Sequence, residues 1–545
     1  MSRLRRLAVA GSLLVVPLWL MVEADGEAIG AFSFDQAGHI WTIWHATREP
    51  LTTTTLQAWP EGLDLLPALG GWADIVLGAA LTPLFGLTTA YSLTVAVYIL
   101  LAGIGGYALT RVLGGSPGAA TLAGMILQLE PSLRTTIRDG QVEQVGIGVP
   151  ALAVAGAIAS WRQPGAGRAV ATGLAGALTV FVSWEYGALL AGLMVLLAPG
   201  ITATGRTPAA WRRWAIAAGT TMIVAGPWAV CFLLRVKGVR VADDEGMSLI
   251  NATASAIALV DWFTYRPGLG AVMFAPLLAL PWTMKADDRW IGGGMAASLI
   301  LAAVLAMGPD PHLFGPRPRD AVARPWAPFT WLQALPAMGW YHWPSRIMIV
   351  WPVAGAVATG LLADAVGRRS RLAGVSAGAL VLIAAGWTLR DPRARVGRYT
   401  PTAPIAVEAL ARLPGDGAVL DLPIEQNTPK LLQVQMLQLF HGRPLVLHSF
   451  PRHLYEQRAA ARLAEDAAGQ WLLAAQTSTA LAPEPAALRG ALARLGVRFV
   501  VMHPRAMLHQ EAPRLQRQLT QRLGPPRLRH PQWIAWDLEG GAEPE

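Results

Sequence analysis

The chain contains one cysteine, Cys231, among its 545 residues. An intramolecular disulfide is therefore excluded, and no cysteine-based metal site is supported. Because Cys231 lies inside an apolar run, we expect it to be a small buried side chain. Charged residues are also scarce, at 14% of the chain. The sequence has no G-x-G-x-x-G and no Walker loop, so no motif indicates nucleotide binding.

Hydrophobic residues make up 53% of the chain, and many of them lie in long apolar runs. Many runs are long enough to cross a bilayer, and they are rich in the Gly and Ala that let helices pack closely in lipid. The chain is therefore predicted to be a polytopic α-helical membrane protein of about eleven spans: Leu7–Val22, Thr89–Thr110, Gly115–Leu129, Val145–Ser160, Ala169–Val182, Tyr186–Ala198, Trp214–Leu234, Gly268–Trp282, Ile291–Met307, Ile347–Asp364 and Leu372–Leu389. Trp72–Leu87 is apolar too, but it contains Asp74 and Pro83 and is interpreted as a re-entrant or surface helix.

Arginine is densest in alternate short loops, as at Arg111, Arg162 and Arg368. The positive-inside rule then places the N-terminus in the cytoplasm and the C-terminus outside. This topology explains the formal net charge of +9 better than nucleic-acid binding does. The first segment has two interpretations, a retained membrane anchor or a cleaved signal peptide.

The hydrophobic content falls after about residue 390. Short strand-like runs such as "GAVLDLP" and "GVRFVVMH" then alternate with helical stretches. We therefore predict two domains, a transmembrane domain over 1–389 and an extracytoplasmic α/β domain over 390–545. The first outer loop of the transmembrane domain covers 23–88.

That first outer loop contains a possible reaction centre. Asp35 follows the first span by about a dozen residues, and His39, Trp41 and Trp44 lie close behind it. A partly desolvated carboxylate near the lipid boundary can act as a general base. The alternative is a solvated acid beside an aromatic belt, which is common at membrane surfaces.

A second outer loop, 130–144, combines acids with arginines. Arg134 and Arg138 could bind a phosphate, because a guanidinium pairs with phosphate oxygens through two hydrogen bonds. Asp139 and Glu143 could add an acidic point on the same face. The alternative is that the charges of this short loop pair with one another.

Two further outer segments carry ionisable residues at the ends of spans. Glu185, in "WEYG", either caps a tight turn or takes part in function. His342 and Arg346, in "YHWPSR", lie at the mouth of a later span, where an arginine is either an anion ligand or a headgroup contact. The histidines show no metal-ligand spacing, so no metal site is predicted; a divalent metal held by carboxylates stays an open alternative.

Several of these motifs resemble the GT-C superfamily of integral-membrane glycosyltransferases, in particular a bacterial branch. Asp35 and Trp41 keep the spacing of that branch's first-loop motif, and "GQVE" (Gly140–Glu143) is similar to a G-H-x-Q-like element. "HWPSR" is similar to an R-x-P-x-R-like element, and "LGVRFVVMH" (Leu495–His503) to a terminal strand. In this chain Gln36 follows Asp35 where the superfamily often has a second acid, and Gln141 replaces the histidine.

The resemblance implies an enzyme of the bacterial inner membrane that takes a sugar from a polyprenyl-phosphate donor. The first-loop acid, Asp35, would be the general base in an inverting transfer to a hydroxyl of a glycan, lipid or protein acceptor. Arg134, Arg138 or Arg346 would hold the donor phosphate. The other polar residues of the outer face would contact substrate: His39, Trp41, Trp44, Asp139, Gln141, Glu143, Glu185 and His342.

Two alternatives remain at the level of sequence. A lipid or polysaccharide transporter predicts ionisable groups deep in the spans and paired interrupted helices. An envelope-assembly protein that kept the fold without activity is favoured by Gln36 and Gln141. No second interrupted segment lies in a symmetric position, so the transferase interpretation ranks first.

Overall fold

A computed structural model describes residues 3–66, 71–203, 207–236, 289–308, 310, 324–334, 346–347, 350–388, 396–402, 405–424, 436–447, 458–465, 467–474, 483–507 and 511–539. The chain divides into two compact units. The first contains Met1–Phe32 and Gly70–Tyr399, and the second contains Ser33–Leu69 and Thr400–Glu545.

The first unit is a bundle of helices. Its described helices, which we number through to the second unit, are α1 Arg3–Ala24, α3 Ala73–Phe85, α4 Leu87–Val112, α5 Pro117–Gln128, α6 Pro131–Arg138, α7 Val142–Val145, α8 Gly148–Arg162, α9 Ala166–Val182, α10 Trp184–Ala203, α11 Pro208–Val236, α12 Arg289–Ala306, α13 Pro328–Gln333, α14 Val350–Arg369 and α15 Arg371–Thr388. Two short antiparallel strands, β1 (Ala28–Ile29) and β4 (Arg398–Tyr399), join the end of α1 to the end of the unit.

Seven helices among the described residues are long and apolar enough to cross a membrane: Arg3–Ala24, Leu87–Val112, Val142–Arg162, Trp184–Ala203, Pro208–Arg235, Arg289–Ala306 and Val350–Arg369. Each coincides with a predicted span. Three other predicted spans fall on helices outside this set, α5, α9 and α15, and Gly268–Trp282 lies outside the described residues. The prediction of a polytopic helical membrane protein is confirmed, while the count of about eleven crossings stays a prediction.

α3 corresponds to the apolar run that was predicted not to span. It has 13 residues, which at 1.5 Å per residue is shorter than the hydrocarbon core of a bilayer. It packs along α4. Whether α3 is re-entrant or lies at the surface stays a prediction.

Close packing inside the bundle depends on glycine. Gly148, the first residue of α8, lies against the backbone of α4 so closely that a Cβ would overlap the Leu101 carbonyl group. A Cβ on Gly105 of α4 would in turn meet the backbone of Gly148. Small residues that let two backbones approach are the usual means of helix association in lipid.

Replacing Gly148 by alanine is expected to destabilise the folded protein by about 3 kcal/mol, the upper end of overpacking costs. The clash is with backbone, which cannot rotate away as a side chain can. Thermal unfolding of the purified protein in nanodiscs measures the effect. Gly118→Ala is the control, since nothing lies within 4 Å of its added Cβ; equal melting temperatures for the two variants would contradict the packing argument.

Arginines at one end of the bundle bind the carbonyl groups that helices leave unpaired where they finish. Arg162 Nη1 donates to the Val112 carbonyl at the end of α4, at 2.7 Å. Arg213 donates to the Ser160 and Trp161 carbonyls at the end of α8, at 2.5 and 2.9 Å. Residues predicted to signal topology therefore also terminate helices.

The prediction that Cys231 is buried is wrong, because its side chain is exposed on α11. α11 is apolar on its outward face as well, with Val230 and Leu234 exposed. A helix that faces lipid needs no polar side, so an apolar position in the sequence does not identify the bundle core.

The second unit is built on a sheet with the strand order β5-β6-β8-β7. The strands are β5 Ala418–Leu422, β6 Val497–Met502, β7 Leu528–His530 and β8 Trp533–Asp537. β5 and β6 are parallel, and the other pairs are antiparallel. The described helices are α16 Ile405–Arg412, α17 Arg458–Leu463, α18 Ala467–Ala474, α19 Pro485–Arg494 and α20 Glu511–Leu523, with a further helical segment over 436–441.

The strand predictions agree with this sheet. "GAVLDLP", "GVRFVVMH" and "QWIAWDL" contain β5, β6 and β8, and "RPLVLH" contains Leu445, which bridges to Val419 of β5. Their apolar side chains divide between the two faces of the sheet. One face packs against α19 and α20, and the other against α16 and the 436–441 segment.

The middle of the first outer loop, residues 33–69, belongs to this second unit. It forms α2 (Phe34–Ala46), β2 (Thr53–Thr54) and β3 (Leu63–Asp64). Leu445 donates its N–H to the Leu56 carbonyl at 2.8 Å, and Trp59 donates to the Leu445 carbonyl at 3.0 Å. Residues 56–59 thereby add to the edge of the sheet. The predicted boundary after residue 389, between a transmembrane and an extracytoplasmic domain, stays a prediction. The division into compact units groups residues 33–69 with Thr400–Glu545.

Burial of His441 makes the stability of this unit depend on pH. Burial lowers the pKa of the imidazole to about 3, and the charges of Arg443 and His503 act in the same direction. The unfolded chain, with a pKa near 6.5, binds the proton more readily. Stability contributed by the neutral ring is therefore complete above pH 6.5 and is lost as the pH falls towards 3.

We expect the melting temperature of the wild type to fall by several degrees between pH 6.5 and 4.5, and that of His441→Asn to fall less. The asparagine oxygen can still accept the Arg443 N–H, which His441 Nδ1 accepts at 3.0 Å. The difference between the two proteins isolates this ring from carboxylates that titrate in both. Parallel curves would contradict the assignment.

Candidate functional site

Three helices of the first unit begin beside one group of charged residues. Glu143 and Gln144 lie in α7, directly before α8, and Glu185 lies in the first turn of α10. Arg346 precedes α14 by four residues. Its Nη1 lies 3.0 Å from Glu185 Oε1, and its Nη2 lies 4.0 Å from Glu143 Oε1. We call Glu143, Gln144, Glu185 and Arg346 the outer cluster.

Hydrogen bonds fix the Arg346 guanidinium in this cluster. With the Gln144 amide oriented so that both of its ends are satisfied, its oxygen accepts from Arg346 Nε at 2.9 Å and from Nη2 at 3.2 Å. Tyr186 donates its hydroxyl to the Gln144 backbone carbonyl at 2.6 Å. The side chain of Arg346 is 20% exposed and that of Glu185 only 6%. The cation is therefore held between carboxylates inside the protein rather than by solvent.

An apolar cavity of about 60 Å³ begins next to the cluster. Its walls include Leu193, which follows Glu185 on α10, and Ile147 and Val350, which follow Glu143 and Arg346 respectively by four positions in the chain. On α10 the helical rise places Leu193 roughly 12 Å beyond Glu185. Ser298 is a polar exception in a lining that is otherwise apolar. A charged cluster with an apolar cavity further along the bundle suits an amphiphile with an anionic head.

The charge balance around the cluster has two opposing parts. Helix N-termini carry a partial positive charge, and three of them lie here with Arg346. Glu143 and Glu185 carry negative charge in the same space. An incoming anion must therefore compete with carboxylates for Arg346, which makes binding selective for groups that match the guanidinium fork.

Arg134 occupies a different position on α6. Its guanidinium lies over the Trp19 ring of α1, 4.6 Å from the ring centroid, and the side chain is 4% exposed. Among the described residues its Nη2 has no hydrogen-bond partner. Burial lowers the pKa of Arg134 to about 10, against the opposing effect of Glu23, so the group stays charged at neutral pH. This is a buried cation with unused donor capacity.

The remaining residues of the second outer loop are more exposed. Arg138 Nε lies 2.9 Å from Asp139 Oδ1, with side-chain exposures of 33% and 45%. This neighbouring pair is what the alternative interpretation of the loop predicted. Gln141 precedes α7 as its N-cap residue. Glu130 begins α6 by accepting the Ser132 and Leu133 N–H groups at 2.6 and 3.2 Å.

Asp35 lies in the second unit, in the first turn of α2. Ser33 caps this helix by accepting the Gln36 N–H at 3.1 Å. An acid in the first turn is favoured by the helix dipole, so Asp35 also helps the helix to begin there. His39 follows by four residues and shares its face, and both side chains are partly exposed. Gln36, in contrast, is fully buried.

The two tryptophans of α2 pack inside the second unit. Trp41 is fully buried and donates its indole N–H to Gln438 Oε1 at 2.8 Å. Trp44 is 7% exposed beneath Arg48, whose guanidinium carbon lies 4.6 Å from the ring centroid. This geometry gives both indoles a packing role, and their part in substrate binding stays a prediction. His342 lies outside the described residues.

Sequence reasoning missed several buried polar residues. Gln144 and Gln438 gave no signal, because a single glutamine in an unremarkable segment has no pattern. Asp74 was used only as an argument against a span, yet it is fully buried in α3. His503 Nε2 lies 2.8 Å from Asp421 Oδ1, at the ends of the two parallel strands β6 and β5. In the part of the chain that the structure describes, no group of three or more His, Cys, Asp or Glu side chains could hold a metal.

The sequence matches no protein-family model and no curated protein. Solved structures do match. The arabinofuranosyltransferase AftD from Mycobacteria aligns over 92% of this chain and 35% of its own, with a TM-score of 0.59 and 17% identity. ArnT from Cupriavidus metallidurans bound to undecaprenyl phosphate aligns over 100% of both chains, with a TM-score of 0.52 and 14% identity. The oligosaccharyltransferase of Archaeoglobus fulgidus in the apo form aligns over 91% of this chain and 69% of its own, with a TM-score of 0.50 and 13% identity.

The apolar helices and these matches define a polytopic helical membrane protein. Its fold is similar to those of these solved glycosyltransferase structures, which agrees with the GT-C fold that the sequence motifs predicted. The chain spans about a third of the length of the arabinofuranosyltransferase that it matches.

Proposed function

We propose that this protein is a membrane glycosyltransferase that moves a sugar from a polyprenyl-phosphate donor to an acceptor hydroxyl on the outer face of the membrane. The observation that carries the proposal is the outer cluster beside the apolar cavity, in a chain of GT-C fold. A phosphate can bind Arg346 while the first part of a prenyl chain follows α8, α10 and α14. The ArnT structure contains such a lipid, which supports the choice of donor.

In the proposed reaction Asp35 takes the proton of the acceptor hydroxyl as the oxygen attacks the anomeric carbon. A new carbon–oxygen bond forms, and the bond from the anomeric carbon to the phosphate oxygen breaks on the opposite side. The configuration inverts, and the electron pair leaves with the polyprenyl phosphate. Arg346 stabilises the charge that develops on that phosphate. Arg134 and Arg138 are further candidates for phosphate contact.

The proposal extends to the surroundings of the reaction. The membrane is the bacterial inner membrane, with the N-terminus in the cytoplasm and the C-terminal domain outside. The acceptor is a glycan, a lipid or a protein. His39, Asp139, Gln141, Glu143, Glu185 and His342 are the proposed contacts to the sugar or acceptor.

A deletion strain tests this function. The transferase predicts that a polyprenyl-phosphate sugar accumulates and that one envelope glycan or glycolipid loses a residue, both reversed by the wild-type gene. Mass spectrometry of lipid-linked sugars and of envelope glycans measures both. An unchanged profile of lipid-linked sugars in the deletion strain would reject the proposal.

A transporter remains the second candidate, because Asp74 is fully buried in α3 and Glu185 nearly so in α10. Ionisable groups inside a bundle are typical of transport pathways. The same deletion strain separates the two functions. A transporter mutant keeps complete lipid-linked glycans in the inner leaflet, whereas a transferase mutant lacks the complete glycan.

A further inference from the structure

Residues of the first outer loop that lie in the second unit are held by its C-terminal residues. Besides the two backbone hydrogen bonds at Leu445, Arg462 Nη2 lies 2.6 Å from Glu61 Oε2. Leu65 is fully buried, and Trp59 packs against the main core of the unit. Residues 33–69 are therefore a structural part of this α/β unit, although more than three hundred residues separate the two in sequence.

One side chain, that of Gln438, joins three parts of this arrangement. Its Oε1 accepts the Trp41 indole N–H at 2.8 Å. Its Nε2 donates to the Leu56 carbonyl at 2.5 Å and to the Arg443 carbonyl at 2.9 Å. The residue is fully buried. Both donors of the amide and one acceptor position are used, so the amide orientation is determined by its partners.

The position of Trp41 decides what this contact controls. α2 has only 13 residues, and Trp41 follows Asp35 by six, which is about 9 Å along the helix. A hydrogen bond at that point, on a ring buried in the core, fixes both the rotation of α2 about its axis and its position along it. The far end of the helix is held separately, where His45 Nε2 lies 3.1 Å from Glu49 Oε2.

We propose that Gln438 is a positioning residue for Asp35: through Trp41 it sets where α2 presents that carboxylate. This inference rests on the proposed function of Asp35. Gln438 touches neither donor nor acceptor in this proposal, and it acts only by holding the helix.

The test uses the full chain in nanodiscs and three variants. Gln438→Met removes all three hydrogen bonds at similar volume, and Trp41→Phe removes only the bond to α2. Trp536→Phe is the control, because Trp536 also donates a buried indole hydrogen bond within this unit, to the Gly524 carbonyl at 3.1 Å, but in β8. It reproduces the loss of an indole hydrogen bond without touching α2.

Two measurements are made on each variant. Hydrogen exchange of residues 36–46 is expected to speed up about tenfold in Trp41→Phe and more in Gln438→Met, as one or more hydrogen bonds are lost. It should be unchanged in Trp536→Phe. The second measurement is the initial rate of glycan restoration per folded molecule in complemented deletion cells. This rate is expected to fall about a hundredfold for Trp41→Phe and Gln438→Met. It should stay within about twofold of the wild type for Trp536→Phe.

Unchanged exchange in α2 for Trp41→Phe would overturn the proposal, and Trp41→Phe keeps this test available if Gln438→Met does not fold. Faster exchange with a normal rate per folded molecule would also overturn it, because the contact would then be structural only. Failure of the proposed function gives another pattern: Asp35→Asn restores the glycan fully while the exchange changes remain.

Discussion

Cells that carry Asp35→Asn in place of the wild type are expected to restore the missing glycan about 10²–10⁴-fold more slowly, the range for loss of a general base. Asparagine has nearly the shape of aspartate but cannot accept the acceptor proton. Asp35 is partly exposed on α2, where an uncharged amide is readily solvated. The amount of folded protein should therefore be unchanged, and the lipid-linked donor should accumulate.

The control for this experiment is Asp64→Asn. Asp64 lies in the same first outer loop and the same unit, where its carboxylate accepts the Leu66 N–H at 3.1 Å. Asp64→Asn removes one acid of this loop outside α2. The rate of glycan restoration is expected to stay within about twofold of the wild type. If Asp35→Asn also restores the glycan at the wild-type rate, Asp35 is no base, and the transporter or scaffold interpretation gains.

The second large effect concerns Arg346. Replacing it alone by glutamine would leave Glu185, only 6% exposed, without the cation that balances it, and the protein could be lost to misfolding. The double variant Glu185→Gln/Arg346→Gln removes both charges and keeps two amides that can bond to each other. We expect this variant to fold and to lose transfer activity by about 10²–10³-fold, the typical cost of removing a group that stabilises developing charge.

Binding can be separated from chemistry with farnesyl phosphate as a probe and farnesol as its uncharged counterpart. In nanodiscs, farnesyl phosphate should raise the melting temperature of the wild type more than farnesol does, and the double variant should not distinguish the two. The matched control is Asp310→Asn/Arg324→Gln, which removes another arginine–carboxylate pair of 2.9 Å from the same unit. A double variant that still prefers farnesyl phosphate would transfer the phosphate role to Arg134 or Arg138.

The helices could be predicted because each carries its own signal. A run of apolar residues that is long enough to cross lipid is visible without knowledge of its neighbours, as at Leu87–Val112. The strands of the second unit were visible for the same reason. Cys231 shows the limit of this signal, since apolar character cannot distinguish the bundle core from the surface that faces lipid.

The candidate sites divide along similar lines. Glu143, Glu185 and Arg346 could be singled out because charges are rare beside spans, but their meeting depends on the packing of α8, α10 and α14. The sequence pattern around Trp41 is typical of a membrane interface. In the structure its ring is buried, and its indole N–H binds Gln438, which is 397 positions away. Long-range contacts of this kind leave no periodic pattern in either segment.

The sheet-edge segment 56–59 has a consequence for how the protein is made. α2 leaves the ribosome well before the residues that complete its surroundings. At about 5–20 residues per second, the 397 positions between Trp41 and Gln438 correspond to roughly 20–80 seconds of synthesis. During that time residues 33–69 lack these partners, so the second unit cannot be completed before Leu445 has left the ribosome. A cell that produces this protein must keep residues 33–69 from mispairing until Gln438 and Leu445 have been synthesised.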